Sequence, residues 1–191
     1  MMRSRLQRPA NPEFRYSNLG YAVLGYCLAR AAGISYEDLL EREILKPRGL
    51  HNTALAMSGQ QAPGIVQGYK KFGLPAARWN FDAFAPAGAL CSTAGDQLKW
   101  IQTLLSNPDR ATLQPHAQAG GGQIGLAWMI RLGGESCWHN GGTYGFSSYL
   151  GLHRKMMYGV VVLANRYNSL LVTKLGSNLE RLLRGLPALP L

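Results

Sequence analysis

With 191 residues, 47% of them apolar and 16% charged, the chain has the size and composition of an ordinary folded protein, which excludes collagen-like, coiled-coil and intrinsically disordered classes. The formal net charge of +10 invites a polyanionic partner. Apart from Arg3, Arg5, Arg8 and the Lys70-Lys71 pair, however, the cations are scattered and lack an aromatic stripe, so no nucleic-acid partner is expected. The basic start Met1–Leu6 has no apolar segment behind it and no apolar run is long enough to span a bilayer, so the chain as written is expected to be cytoplasmic, with no membrane span.

The first predicted element is a helix over 19–32, with Leu19, Val23, Tyr26, Cys27 and Arg30 at helical spacing, Asn18 in the capping position and Gly33 as the stop. Ser35 with Asp38 forms a capping-box-like start for a second helix, Tyr36–Leu45, ended by Pro47 and Gly49. Between His51 and Leu90, Gly, Pro and Ala with weak periodicity predict irregular structure and one or two short strands around Ile65–Tyr69. Thr93 and Asp96 open a third helix through Leu98, Ile101 and Leu105, stopping before Asn107-Pro108.

Further along, Leu126–Leu132, Ser148–Arg154 and Gly159–Ala164 are short runs bounded by Gly and predict an antiparallel meander, with another strand at Trp138–Asn140. Over Tyr167–Leu186, a stripe of Leu170, Leu171, Leu175, Leu179, Leu182 and Leu183 predicts a last helix packed on the sheet, closed by Gly185 and Pro187. Helices, then strands, then a helix indicate an α+β architecture.

Cys27, Cys91 and Cys137 have neither C-x-x-C spacing nor a Cys/His ligand pattern, so no disulfide framework, metal or cofactor is expected. Cys27, on an apolar helical face, is expected as a small buried hydrophobe. Gly120-Gly121-Gly122-Gln123-Ile124-Gly125 fits G-x-G-x-x-G formally. It lacks the preceding strand and following helix that dinucleotide binding needs, and reads as a flexible loop into a strand.

Two strings carry chemistry. Tyr16-Ser17-Asn18 places a phenol and an amide two residues apart on a loop, where both can enter one cleft. A phenol relays protons only if cations lower its usual pKa of about 10. Alone, the string is better read as a packed Tyr beside a helix cap. The second is His139-Asn140-Gly141-Gly142, a cation or donor followed by glycines that let backbone approach a substrate. An isolated His is by default structural, but the Gly-rich context favours a site.

The surrounding runs tip that balance. Tyr16-Ser17-Asn18-Leu19-Gly20-Tyr21, Ile44-Leu45-Lys46-Pro47-Arg48-Gly49-Leu50, Ser92-Thr93-Ala94-Gly95-Asp96 and His139-Asn140-Gly141-Gly142-Thr143, in that order, resemble the class C β-lactamase and penicillin-binding-protein-like family, which includes esterases and D-amino-acid peptidases. The resemblance implies a β-lactamase/transpeptidase-like fold, an antiparallel sheet packed with helices plus a helical lobe. It casts Tyr16 as proton relay, His139 as the residue of the Lys-Thr-Gly-type strand, Asn18 as binder of a substrate amide, and Asn140, Gly141 and Gly142 as substrate-binding, with the Gly142 N–H an oxyanion donor. Members of the family are often periplasmic or extracellular.

The family's Ser-x-x-Lys nucleophile is missing, because no serine here has Lys at i+3 and only 15 residues precede Tyr16. Ser17, Ser92, Ser147 and Ser148 have no activating neighbour at a suitable spacing. Residues 1–191 are therefore expected to be a partial domain, lacking the N-terminal portion and inactive alone towards a small-molecule or peptide substrate. Three other expectations stay open: a non-catalytic binding module, completion by a separate N-terminal chain, and a remnant that does not fold stably. Arg48 stands where relatives place Leu and implies an imperfectly filled apolar pocket.

Overall fold

The computed structural model of the chain describes residues 14–56, 64–107, 111–131 and 133–191. Arg3, Arg5 and Arg8 lie outside the described residues, as do Pro108 and Leu132, expected to follow a helix and to end a strand.

Helix α1 spans Asn18–Ala32, and its cap is Ser17 rather than Asn18. Ser17 is extended, and its Oγ accepts the Gly20 N–H at 2.9 Å, which satisfies one of the N–H groups a helix start leaves free. Gly33 closes the helix at φ 69°, a left-handed conformation that costs a glycine little. Only Ala22 and Gly25 of α1 are buried, and Cys27 is exposed rather than buried. The reason is the thinness of the contact: Gly25 lies so close to Pro86 that a Cβ there would meet it at 2.2 Å, and that narrow seam leaves the flanking side chains in solvent.

Helix α2 is Tyr36–Leu40, with Ser35 accepting the Asp38 N–H at 3.0 Å as the capping pattern requires. The predicted continuation to Leu45 is a π turn, Glu41–Leu45, followed by a 3-10 turn at Lys46–Arg48. Arg48, expected beside an imperfectly filled pocket, is half-buried: its guanidinium lies 5.5 Å over the Trp100 ring and donates to the Glu43 and Ile44 carbonyls, leaving Nε buried without a partner.

In the Gly- and Pro-rich stretch, β1 (Ala54–Leu55) pairs with β2 (Leu90–Cys91), and a short helix α3 (Ala85–Gly88) precedes β2. The strand expected around Ile65–Tyr69 shrinks to bridges from Tyr69 to Pro75 and Arg166, since the chain turns back at once through Gly73. Helix α4 (Ala94–Ser106) starts at Thr93, whose side chain accepts the Asp96 N–H, and buries Ile101, Leu104 and Leu105.

The sheet is an antiparallel meander of β3 (Ala117–Ala119), β4 (Gly122–Ile124), β5 (Met129–Ile130), β6 (Ser136–Thr143), β7 (Phe146–His153) and β8 (Tyr158–Ala164), each beside the next. Gly120-Gly121 is a hairpin turn between β3 and β4 rather than a loop into one strand. The predicted strand 126–132 contracts to β5, because Gly125 N–H bonds Trp128 O and Ala127 sits at φ 69°, a turn inside the run.

Each face of the sheet has its own core. Cys137 and Leu152 pack with Ile130, Trp128 and the buried face of α4, while Tyr149 and Val160 pack with Val172 of α5 (Ser169–Leu183). Helix α5 does not present its leucines to the sheet as expected. Leu170, Leu179, Leu182 and Leu183 are exposed, and Val172, Gly176, Asn178 and Glu180 are buried instead. Close approach decides this: a Cβ on Gly176 would lie 2.0 Å from Tyr149, so only the small face of the helix fits against β7.

Candidate active site

Tyr16 and His139, separated by more than a hundred residues in sequence, are brought together. Tyr16 precedes the first turn of α1 and His139 lies on β6; their ring centroids are 6.3 Å apart and inclined by 33°. Side chains alternate between faces along a strand, so His139 shares the face of buried Cys137, toward α4, and Asn140 takes the opposite face. There the Asn140 Nδ2 donates to Thr173 Oγ1 of α5 at 2.9 Å. The Asn140 side chain is thus a tie between strand and helix, while its carbonyl, 2.6 Å from His139 Nδ1, orients the imidazole.

The backbone of β6 has an open edge at this point. Its ladder with β5 ends at Trp138, and among the described residues no strand pairs with 139–143 on that side. Ser136 O accepts the Arg131 N–H, which sets the parity of the strand. Along an unbroken β6–β7 register, the N–H and C=O groups of Asn140 and Gly142 therefore face the open edge. Gly141 pairs with Ser148, whose Oγ occupies the space a Cβ would need, at 2.5 Å. Gly142 pairs with Ser147, and the buried Ser147 Oγ accepts the Asn168 N–H and donates to Arg166 O, fixing the start of α5 behind the strand.

Asn18 is exposed on the first turn of α1, two residues from Tyr16, and makes no side-chain hydrogen bond with another described residue. One turn on, the Tyr21 phenol is pushed up by partial burial and, less, by the neighbouring Tyr16 phenol. An apolar groove of about 470 Å³ runs between α1 and α3, where Leu19, Val23 and Tyr26 face Phe84 and Pro86; neither Tyr16 nor His139 lines it.

Two further serines of the motif runs are engaged elsewhere: Ser17 caps α1, and Ser92 bonds Thr53 and Gln97. Thr173 and Ser147 carry no sequence signal for their positioning roles, because their partners lie tens of residues away. No three His, Cys, Asp or Glu side chains come together as a metal-binding group among the described residues. Nor is any helix among them long and apolar enough to cross a membrane.

Residues 1–178 match the family described as Beta-lactamase. The chain belongs to the Beta-lactamase family. Among family relatives, protein Flp of Staphylococcus aureus (strain N315) is 27% identical over 94% of this chain, and the unguisins hydrolase UngD' of Aspergillus campestris is 28% identical over 84%. The match spans 39% of Flp and 35% of the hydrolase, so the chain has well under half the length of these relatives. A class C β-lactamase structure superposes with a TM-score of 0.73 at 24% identity, covering 86% of this chain and 56% of that one. An octameric penicillin-binding protein homologue from Pyrococcus abyssi gives 0.78 at 22% identity, covering 96% and 45%. The fold is accordingly β-lactamase/transpeptidase-like, as the motifs implied.

Proposed function

We propose that this Beta-lactamase-family chain forms one wall of a serine acyl-transfer site acting on a lactam, an ester or a D-amino-acid peptide, and that it needs a nucleophile supplied by further polypeptide. The observation that carries the reading is the Tyr16–His139 pair at the open edge of β6. In this reading Tyr16 relays the proton between nucleophile and leaving group. His139, with its ring held by the Asn140 carbonyl, polarises the phenol or the substrate carboxylate. The Gly142 N–H stabilises the oxyanion at the unpaired edge, and Asn18 binds the substrate amide. Asn140 acts through its backbone, because its side chain is turned to Thr173. Gly141 lets the backbone approach the substrate closely, and Ser148 Oγ leaves no room for a Cβ there.

Two bare apolar surfaces support the need for further polypeptide. The side of α1 that opens on the groove, with Leu19, Val23 and Tyr26, and the leucine face of α5 are exposed. Related structures hold nearly twice the length that this chain matches. The proposed occupant of both faces is the remainder of the family domain, on the same or a separate polypeptide. Without it, the hydrogen bonds that hold Ser17, Ser92 and Ser147 favour substrate binding without turnover.

The test is an assay of the purified chain with a chromogenic cephalosporin and a nitrophenyl ester, alone and with an added family segment carrying Ser-x-x-Lys. The chain alone is expected to form no acyl-enzyme. Turnover is expected on complementation, and Tyr16→Phe or His139→Ala should lower it by roughly 10²–10⁴-fold. Turnover by the chain alone at the rate of intact relatives, or complemented activity indifferent to Tyr16→Phe, would overturn the proposal.

A further inference from the structure

Phe72 is 85% exposed, more than any other large apolar side chain among the described residues, and Leu74 two positions on is 62% exposed. Both belong to a tight turn in which Lys70 N–H bonds Leu74 O at 2.8 Å and Gly73 N–H bonds Lys70 O at 3.0 Å, with Gly73 at φ 81°. Nothing in that turn geometry calls for an aromatic residue at the tip, where polar residues are the usual choice.

The turn is rigidly mounted on the end of the β6–β7 hairpin. Tyr69 N–H lies within bonding distance of both Gly145 O and Asn165 O, Tyr167 N–H bonds Tyr69 O, and the Arg166 guanidinium donates to Lys71 O. Cations ring the apolar tip. Lys70 Nζ sits 4.8 Å over the Tyr144 ring and Lys71 Nζ 5.8 Å over Phe72. The chain has ten Asp and Glu residues, yet none falls between Gly64 and Phe81 or between Ser136 and Leu179, the two stretches that build this corner.

We propose that the 70–74 turn is a docking point for an anionic lipid bilayer, with Phe72 and Leu74 entering the boundary between headgroups and acyl chains while Lys70, Lys71 and Arg166 lie against lipid phosphates. Charge complementarity selects an anionic over a neutral surface. The apolar tip selects a bilayer over a soluble polyanion, which offers phosphate but nowhere to bury an aromatic ring. Because the turn is already ordered by its bonds to the sheet, docking costs little conformational entropy.

Co-sedimentation of the whole chain with phosphatidylglycerol/phosphatidylcholine vesicles, against phosphatidylcholine alone, tests this. Binding is expected only to the anionic vesicles and is expected to fall in high salt. Phe72→Ser should weaken it by about ten-fold, and the pair Lys70→Gln, Lys71→Gln by about ten-fold or more. All three positions lie on one solvent-facing turn, and far-UV circular dichroism verifies that the variants stay folded. The charge-matched pair Arg42→Gln, Lys46→Gln, on the exposed turn after α2, should leave binding unchanged. The proposal is overturned if that control pair weakens binding equally, if Phe72→Ser has no effect, or if the chain binds soluble heparin and no vesicle.

Discussion

Two buried carboxyl groups outside the site respond to pH in opposite directions. Asp96, 1% exposed, would be raised by burial, but the Asn52 N–H at 2.7 Å, the Thr53 hydroxyl at 2.9 Å and the Lys99 ammonium together hold it below its usual 3.8. A depressed folded value means its stabilisation is complete above the unfolded value and disappears as the pH falls through the folded one. Asp96→Asn should therefore cost about 2–3 kcal/mol near neutrality, with the difference from wild type vanishing in strong acid, as urea titrations across pH would measure. Glu180, 0% exposed, is raised above its usual 4.5, chiefly by burial, with Arg131 and the Tyr149 hydroxyl opposing. Its contribution is complete below the unfolded value and is lost as the pH rises through the raised one. Glu180→Gln keeps an acceptor for the Tyr149 O–H and should stay within about 1 kcal/mol of wild type at neutral pH, without the wild-type decline above pH 4.5. Glu180→Leu strands that hydroxyl proton and should cost about 1–3 kcal/mol.

At the scale of elements, the seat of α5 on β7 is set by two glycines. A Cβ on Gly176 would lie 2.0 Å from Tyr149, and one on Gly151 would lie 1.8 Å from Glu180 Oε1. Gly176→Ala or Gly151→Ala should each destabilise by about 1–3 kcal/mol in chemical denaturation, because the helix must lift from a packed sheet. The same helix carries Thr173, which holds Asn140, and begins at Asn168, tied to Ser147 behind Gly142. Lifting α5 should therefore disturb the open edge of β6 as well as the core. Amide exchange at 139–143 in the Gly176→Ala variant checks this, with faster exchange expected than in wild type.

For the whole molecule, the exposed apolar faces of α1 and α5 predict behaviour in solution: the chain alone should bind a hydrophobic dye and self-associate. Leu179→Glu with Leu182→Lys should reduce both while changing stability by no more than about 0.5 kcal/mol per site, since neither residue is buried. A pair of variants that unfolds instead would mean that these leucines are packed in the isolated chain. Much of the architecture was legible from local patterns. Ser35 and Thr93 announce their helices, the runs around Ser148 and Val161 announce the central strands, and Tyr16-Ser17-Asn18 with His139-Asn140-Gly141 announces the family, because capping, strand alternation and close-approach glycines act over a few residues. What lay beyond them depends on partners far apart in the chain. The leucine stripe of α5 predicted the wrong face, since periodicity locates an apolar stripe but cannot foresee that Tyr149 leaves room only for Gly176. Cys27 was misplaced for the same reason at the narrow Gly25–Pro86 seam. The turn of Asn140 toward Thr173, and the open edge that frees the Gly142 N–H, follow from sheet register and from where β5 stops, which no local run of residues specifies.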